Sequence, residues 1–434
     1  MSASLLVGLC LLQTVWVVDD NGGPGVDFTD IQPAINAAAD GDVLLVAPGT
    51  FSHFALTGKG LRILGSGSQS TFVSLPGTAG YKTQIASVPS GHIVHLQGIN
   101  FSWPFFPEGD RLVVTGATTQ VVLLDSTVVG STNDTGPHSA LLVEDAEVQI
   151  HRSTLASFNL AISTTGSNGG RALTVRGGAR VHVSSSLVQG GKGGGSNLFA
   201  PPGGPAIVAT DTPAGIPWLW IADSAVIGGA GGYDIDFGVI VTGTGGVGIA
   251  ATNAHVRISG DSTSLVQGGA SPTPSSFGSG PGPGISASGS FPVEVHSVPV
   301  FAGAPSTPAT VGPVLIGAPP LPVIRATGSF TLTGSGTFTL SNGPASAPFA
   351  LVLEVGPAHF GIPGPILGEV LVGPPPASLL ALGALDPTGS FSLTVPLAGL
   401  PPEFAYLPFH LQGAALDCGG TWRLTNSVAV ILHP

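Results

Sequence analysis

Charge is scarce in this 434-residue chain: Asp, Glu, Lys and Arg make up 8% of it, against about 25% in an ordinary soluble domain. Helices whose outer faces are laced with i,i+4 ion pairs are excluded by that shortage. Lysine occurs three times, at Lys59, Lys82 and Lys192, and 12 Lys+Arg against 24 Asp+Glu leave a net charge of −12. A nucleic-acid partner held by phosphate neutralisation is therefore not expected. Cysteine is almost absent too, with Cys10 and Cys418 alone. Cys10 lies in the apolar run 5–12, read as the hydrophobic core of an export leader spanning residues 1–18. With that leader removed, Cys418 has no partner for an intrachain disulfide. Long apolar runs are missing as well, because Pro and Gly interrupt every stretch short of the roughly 18 residues that a membrane span requires. The expectation is an extracellular or cell-surface protein with no transmembrane segment in the mature chain.

What the chain has instead is glycine and proline, 66 and 39 residues, together with 43% hydrophobic residues. A mean hydropathy of +0.45 is too apolar for disorder. The apolar residues recur in a pattern. A small residue, an aliphatic, any residue, then Val or Ala appears at Ala140–Val143, Ala172–Val175, Ala206–Ala209, Gly248–Ala251 and Gly284–Ala287, with Arg111–Val114 as a variant. The aliphatics at 112, 141, 173, 207, 249 and 285 are spaced by 29, 32, 34, 42 and 36 residues. Each is followed by a second, alternating element centred on Val121, Val148, Val181, Leu219, Val256 and Val293. Alternation at period two is the mark of a strand with one buried face. Ser126, Ser153, Ser186 and Ser224 stand five residues beyond that element's first aliphatic, with another aliphatic two further on.

No single unit of this kind can bury its aliphatics alone, but coils stacked about 4.8 Å apart can. The sequence thus reads as an all-β protein: a right-handed parallel β-helix over residues 19–303 with an N-terminal capping helix. The serines are read as hydroxyls stacked at a bend. The cap is 28–39, where Asp30 precedes a helix with Ile31, Ile35 and Ala38 or Ala39 on one face. The stretch 30–51, D-I-Q-P-A-I-N-A-A-A-D-G-D-V-L-L-V-A-P-G-T-F, followed by K-G-L-R-I-L-G at 59–65, resembles the opening of pectate lyase-like β-helix proteins. That resemblance implies the same coil architecture. Residues 304–322 read as a Pro/Gly-rich linker. Residues 323–434 read as a small antiparallel β-sandwich-like domain, opened by a hairpin signal around Gly334-Ser335-Gly336. Its final segment resembles a β-module common on secreted bacterial proteins, which bears on localisation rather than chemistry.

Catalytic motifs are not evident. Glycoside hydrolysis needs two carboxylates about 5–10 Å apart, and the acidic residues on the coils are scattered. The N-x-D, D-D and G-H-G motifs typical of hydrolases in the β-helix family are missing from the coils, as are the clustered acidic calcium ligands of pectate lyases. Gly228-Gly229-Ala230-Gly231-Gly232-Tyr233-Asp234-Ile235-Asp236 is similar to a calcium repeat but occurs once. Asp234 and Asp236 are accordingly named as candidate ligands for Ca2+; no other cofactor is expected. Long insertions at 190–205, 228–247 and 268–283 enter at one corner of successive coils and should form a lateral lobe. The outward positions of the alternating strand carry His182, Trp218, Trp220, His255 and Arg257. Two outward indoles at i and i+2, about 6.8 Å apart by strand rise, would make a platform for the apolar face of a sugar ring. The rival reading is that a loop covers them. The expected function is therefore a secreted, non-catalytic binder of polysaccharide or cell-surface glycan. The alternative is a polysaccharide lyase or glycoside hydrolase with a divergent active site.

Overall fold

The computed structural model describes residues 13–77, 80–102, 109–130, 138–157, 168–194, 200–236, 239–260, 263–272, 280–304, 307–317, 321–354, 357–360, 366–367, 370–372 and 378–434. Three parallel sheets, of eleven, nine and nine strands among the described residues, run the length of a right-handed β-helix. Each coil contributes one strand to each sheet. Gln120–Leu124 lies in the eleven-strand sheet, Thr127–Val129 in the second and Ser139–Glu144 in the third, after which Glu147–His151 returns to the first, one coil up. The column inferred from spacing is continuous in the structure: Leu112, Leu141, Leu173, Ile207, Ile249 and Ile285 pair in register from coil to coil. All six side chains are 0–1% exposed and belong to one core running through the helix. Val121, Val148, Val181, Leu219, Val256 and Val293 form the matching column on the eleven-strand sheet.

The bend between the first and second sheets explains the serines. Asp125, Arg152, Ser185 and Asp223 adopt φ of 46–50°, a left-handed conformation that turns the chain while each N–H still donates to a carbonyl one coil on, at 3.0–3.1 Å. The next residue is bonded through hydroxyls instead. Ser126, Ser153, Ser186 and Ser224 each donate Oγ to the carbonyl two residues back at 2.7–2.8 Å. The hydroxyls of Ser153, Ser186 and Ser224 also accept, at 3.1 Å, the backbone N–H of the serine one coil earlier. Where the sequence slips, at Ser264, the hydroxyl has no hydrogen-bond partner among the described residues.

The helix Ile31–Ala37 closes the N-terminal end, with Asp30 accepting from the Ile31 N–H and Ile31, Ala34 and Ile35 buried on the core. Val15–Val18, within the stretch assigned by sequence to a leader, pairs with Val43–Val46 as the first strand of the eleven-strand sheet. Asp42 ties it down, accepting from the Thr14 N–H at 2.8 Å and the Trp16 indole at 3.0 Å. The leader boundary at 18 thus runs into the fold; residues 1–12 lie outside the described residues. At the other end, Thr310–Val311 and Val314–Ile316 extend the parallel ladders into the segment read as a linker.

The three insertions meet in a lobe of unusual construction. Their Gly-rich segments are extended but belong to no sheet. Gly228 and Gly231 donate to Gln267 and Ala270 on one neighbouring segment, while Gly229 and Gly232 donate to Gly204 and Pro201 on another. Partners that repeat every third residue define a three-fold extended helix of the polyproline II type. Here such helices lie side by side and bond laterally. Glycine is required by proximity: a Cβ on Gly229 would overlap the Gly191 carbonyl, and one on Gly246 would overlap that of Gly204. A short hairpin, Tyr233–Asp236 with Val239–Thr242, projects from this lobe.

Beyond the β-helix, Val323–Ser329, Ser335–Ser341 and Phe391–Pro396 form an antiparallel sheet. It faces a five-strand sheet that includes Pro348–Glu354, Pro408–Leu416 and Trp422–Ile431. Ile324, Phe338, Leu340, Phe349, Leu351, Leu411 and Val428 fill the space between the two sheets. This module does not hang free. Ala429 and Ile431 pack with Val43, Leu64, Val122 and Leu124 on the outward face of the eleven-strand sheet. Polar contacts extend the seam: Ser427 Oγ donates to Gln149 Oε1 at 3.2 Å, Asn426 Nδ2 to Ser184 Oγ at 2.9 Å, and Arg152 Nη1 to the Ala429 carbonyl at 3.0 Å.

Candidate functional site

Parallel register brings the candidate residues together in two adjacent columns. Arg180, Trp218 and His255 are aligned in one, and Gln149, His182, Trp220, Arg257 and Glu294 in the other. The expectation that both columns face solvent is corrected by the module. His182 is 1% exposed and Trp220 4% exposed. Trp220 packs on Leu321, meets His182 edge-on at 5.4 Å and donates Nε1 to Ser259 Oγ at 3.2 Å. The covering reading therefore holds for Trp220, the cover being the approach to the C-terminal module rather than an insertion loop. His182 offers no face to a ligand in this arrangement, and Trp220 shows only a narrow edge.

Trp218 remains open, at 40% exposed. Its indole stacks on the His255 ring with centroids 4.1 Å apart and planes 20° apart, and His255 in turn meets Phe291 at 4.0 Å. The result is a ladder of three flat side chains from three successive coils. Beside it lies a cleft of about 100 Å3 lined by Trp218, Trp220, His255, Arg257, Pro292 and Glu294. That volume is well below the roughly 300 Å3 at which pockets begin to enclose small molecules. A ligand here would lie on the aromatic surface with only an edge in the cleft. Phe291 was not singled out from the sequence; it stands two residues before the column position Val293, and its contact with His255 comes from the bend that precedes that strand.

Arg257 and Glu294 form an ion pair, Nε to Oε2 at 2.9 Å, with His296 Nε2 at 3.6 Å from the same oxygen. His296, and after it Arg257, hold the Glu294 carboxyl down at about 2 against the opposing effect of partial burial. Glu294 is thus ionised throughout the ordinary pH range and has no proton to donate. Asp234 and Asp236, the candidate calcium ligands, lie on the hairpin strand Tyr233–Asp236, with their side chains outside the described residues. Among the described residues no three His, Cys, Asp or Glu cluster so as to hold a metal ion, and no helix is long and apolar enough to cross a membrane.

No protein-family model matches the chain, and no curated protein matches it. Among solved structures, the chain is similar to a pectate lyase at 15% identity and a TM-score of 0.31, over 70% of this chain and 79% of the other. It is also similar to the A-module of a mannuronan C-5 epimerase from Azotobacter vinelandii, at 13% identity and a TM-score of 0.26, over 69% and 98%. A third likeness is to full-length tailspike protein 2 of the Escherichia coli O157:H7 bacteriophage CAB120, at 11% identity and a TM-score of 0.28, over 96% and 68%. The registers of the parallel sheets, rather than these likenesses, establish the architecture.

Proposed function

We propose that the protein acts outside the cell as a binder of polysaccharide or cell-surface glycan, through the row of rings made by Trp218, His255 and Phe291. The observation that carries this reading is the exposure of Trp218 on a rigid strand. A large indole held flat and 40% open to water costs hydration that a sugar ring's apolar face can relieve, and its backing on His255 limits the conformational entropy lost on binding. Arg180, which is exposed and precedes Trp218 in the same column, and the edge of the Arg257–Glu294 pair supply hydrogen-bonding groups beside the rings. Binding without turnover is supported by the lining of the cleft. Its described residues carry one carboxylate, Glu294, whereas glycoside hydrolysis uses two.

The test is retention on a polysaccharide array. Trp218→Ala should abolish retention while the far-ultraviolet circular dichroism stays unchanged, and His255→Ala should weaken it about tenfold, in line with the loss of one aromatic contact. Undiminished retention by Trp218→Ala would reject the site. Release of reducing ends or unsaturated uronates from any retained polymer would establish the enzymatic alternative instead.

A further inference from the structure

The seam between the β-helix and the C-terminal module contains an unusual concentration of imidazole. His95, His151 and His182 on the eleven-strand sheet are 1–3% exposed, and His410 on the module is fully buried. His95 and His410 lie 6.2 Å apart and His151 and His182 5.7 Å apart between ring centroids. Both ring nitrogens of His95 and of His410, and Nδ1 of His151, have no hydrogen-bond partner among the described residues. His151 Nε2 meets Gln149 Oε1 at 3.3 Å.

Asp125 and Asp223, the carboxylates described beside His151, are already committed to arginines. Arg62 lies on the neighbouring strand beside His95, and Arg152 follows His151; both repel an imidazolium. Asp125 is occupied by Arg152 through two contacts of 2.8 and 3.0 Å, and Asp223 is held by Arg325 from the module. His433, also of the module, lies near Asp125. Glu354 is the cross-strand partner of His410 in the module's own sheet. Gln149, Ser184, Asn426 and Ser427 also face the seam and are neutral; Gln149 Oε1, Ser184 Oγ, Asn426 Nδ2 and Ser427 Oγ are already hydrogen-bonded to one another or to backbone. A cavity of about 190 Å3 lies beside His151, bordered by Arg152, Ser184, Asp223 and Arg325.

We propose that the C-terminal module is a cover held over the outward face of the eleven-strand sheet by a seam of neutral histidines, and that acid releases it. Protonation would place two or more cations in a buried interface where Asp125 and Asp223 are already held by arginines. Burial first, and then neighbouring His410 and Arg62 for His95, or His182, His410 and Arg152 for His151, hold these imidazoles well below their usual range; burial holds His410 at about 3. The sign follows from linkage. A free module titrates near 6.5, so docking is undiminished above that pH and is lost as pH falls from about 6.5 towards about 3. At pH 4.5 His410 alone weakens docking about 100-fold. Release uncovers His182 and Trp220, extending the open face beside Trp218. The release is independent of the carbohydrate reading, and only a gain in glycan retention rests on it.

The experiment uses the full chain, with small-angle X-ray scattering and circular dichroism at about pH 7.5 and pH 4.5. The radius of gyration should rise reversibly at the lower pH with the strand signal intact, and the triple variant His95→Gln, His151→Gln, His410→Gln should stay compact at both. A wild-type chain compact at pH 4.5, expansion accompanied by loss of the strand signal, or equal expansion of the triple variant would each overturn the proposal. If the triple variant is already open at neutral pH, His410→Gln alone decides: its opening midpoint must fall to lower pH than that of the wild type, and an unmoved midpoint overturns the histidine seam. Expansion with no gain in polysaccharide retention would leave the release standing and tell against the carbohydrate reading.

Discussion

A single hydroxyl at each bend does two jobs in this fold. Ser153 Oγ caps the His151 carbonyl and receives the Ser126 N–H, so Ser153→Ala leaves a buried N–H unpaired in the coil below. The expected cost is about 1–3 kcal/mol, to be read as a fall in the urea midpoint with an unchanged slope. Ser264→Ala should be close to neutral by the same measurement, because that hydroxyl makes no bond among the described residues. The contrast separates a serine kept for its hydrogen bonds from one that merely fills space. At the candidate site, the Glu294 carboxyl titrates at about 2, below its usual value near 4.5. What it contributes to holding Arg257 is therefore present above pH 4.5 and lost only as pH falls from there towards 2. Retention that depends on Trp218 should accordingly be undiminished down to about pH 4.5, as a pH series on the array would show.

Among the elements, the coils and the lobe are stabilised by opposite means. The coils rely on branched aliphatics that fill a dry column. Leu173→Ala, at a fully buried position between Leu141 and Ile207, should cost about 2–5 kcal/mol and show in thermal unfolding of the whole β-helix. The lobe relies on having no side chain at all. Gly229→Ala forces a Cβ onto the Gly191 carbonyl, so extended helices that bond laterally must separate there. Faster amide exchange over 190–205 and 228–247, with coil amides unchanged, is the expected outcome. An ordinary loop would absorb that alanine, which makes exchange in the lobe a direct test of its packing. The lobe explains why so much glycine occurs in a chain that is otherwise too apolar to be disordered.

At the scale of the whole molecule, the module decides which part of the β-helix surface meets solvent. Arg325 reaches from it to Asp223, whose side chain is 7% exposed. Arg325→Ala leaves that carboxylate without its cation and should weaken docking by about 2 kcal/mol, less than for a fully buried pair because the guanidinium is partly open to water; small-angle scattering at neutral pH reads the result. Signs of the covered face were present in the sequence but carried no direction. Val43–Val46 and Val121–Leu124 are unbroken apolar runs, as expected of strands buried on both faces, yet nothing in them names the partner. The coil column, the serine bends and the common corner of the insertions were legible because each depends on residues repeated at similar spacings, and the cap because Asp30 and a one-sided apolar face are local signals. The three-fold extended helices of the lobe were not, since glycine permits many backbone conformations and only neighbouring segments select one. The two tryptophans show the division most plainly. Strand alternation placed Trp218 and Trp220 on one outward face, a local consequence of period two; contact with residues about a hundred positions later in the chain buried one and left the other open, and no local pattern encodes a contact of that range.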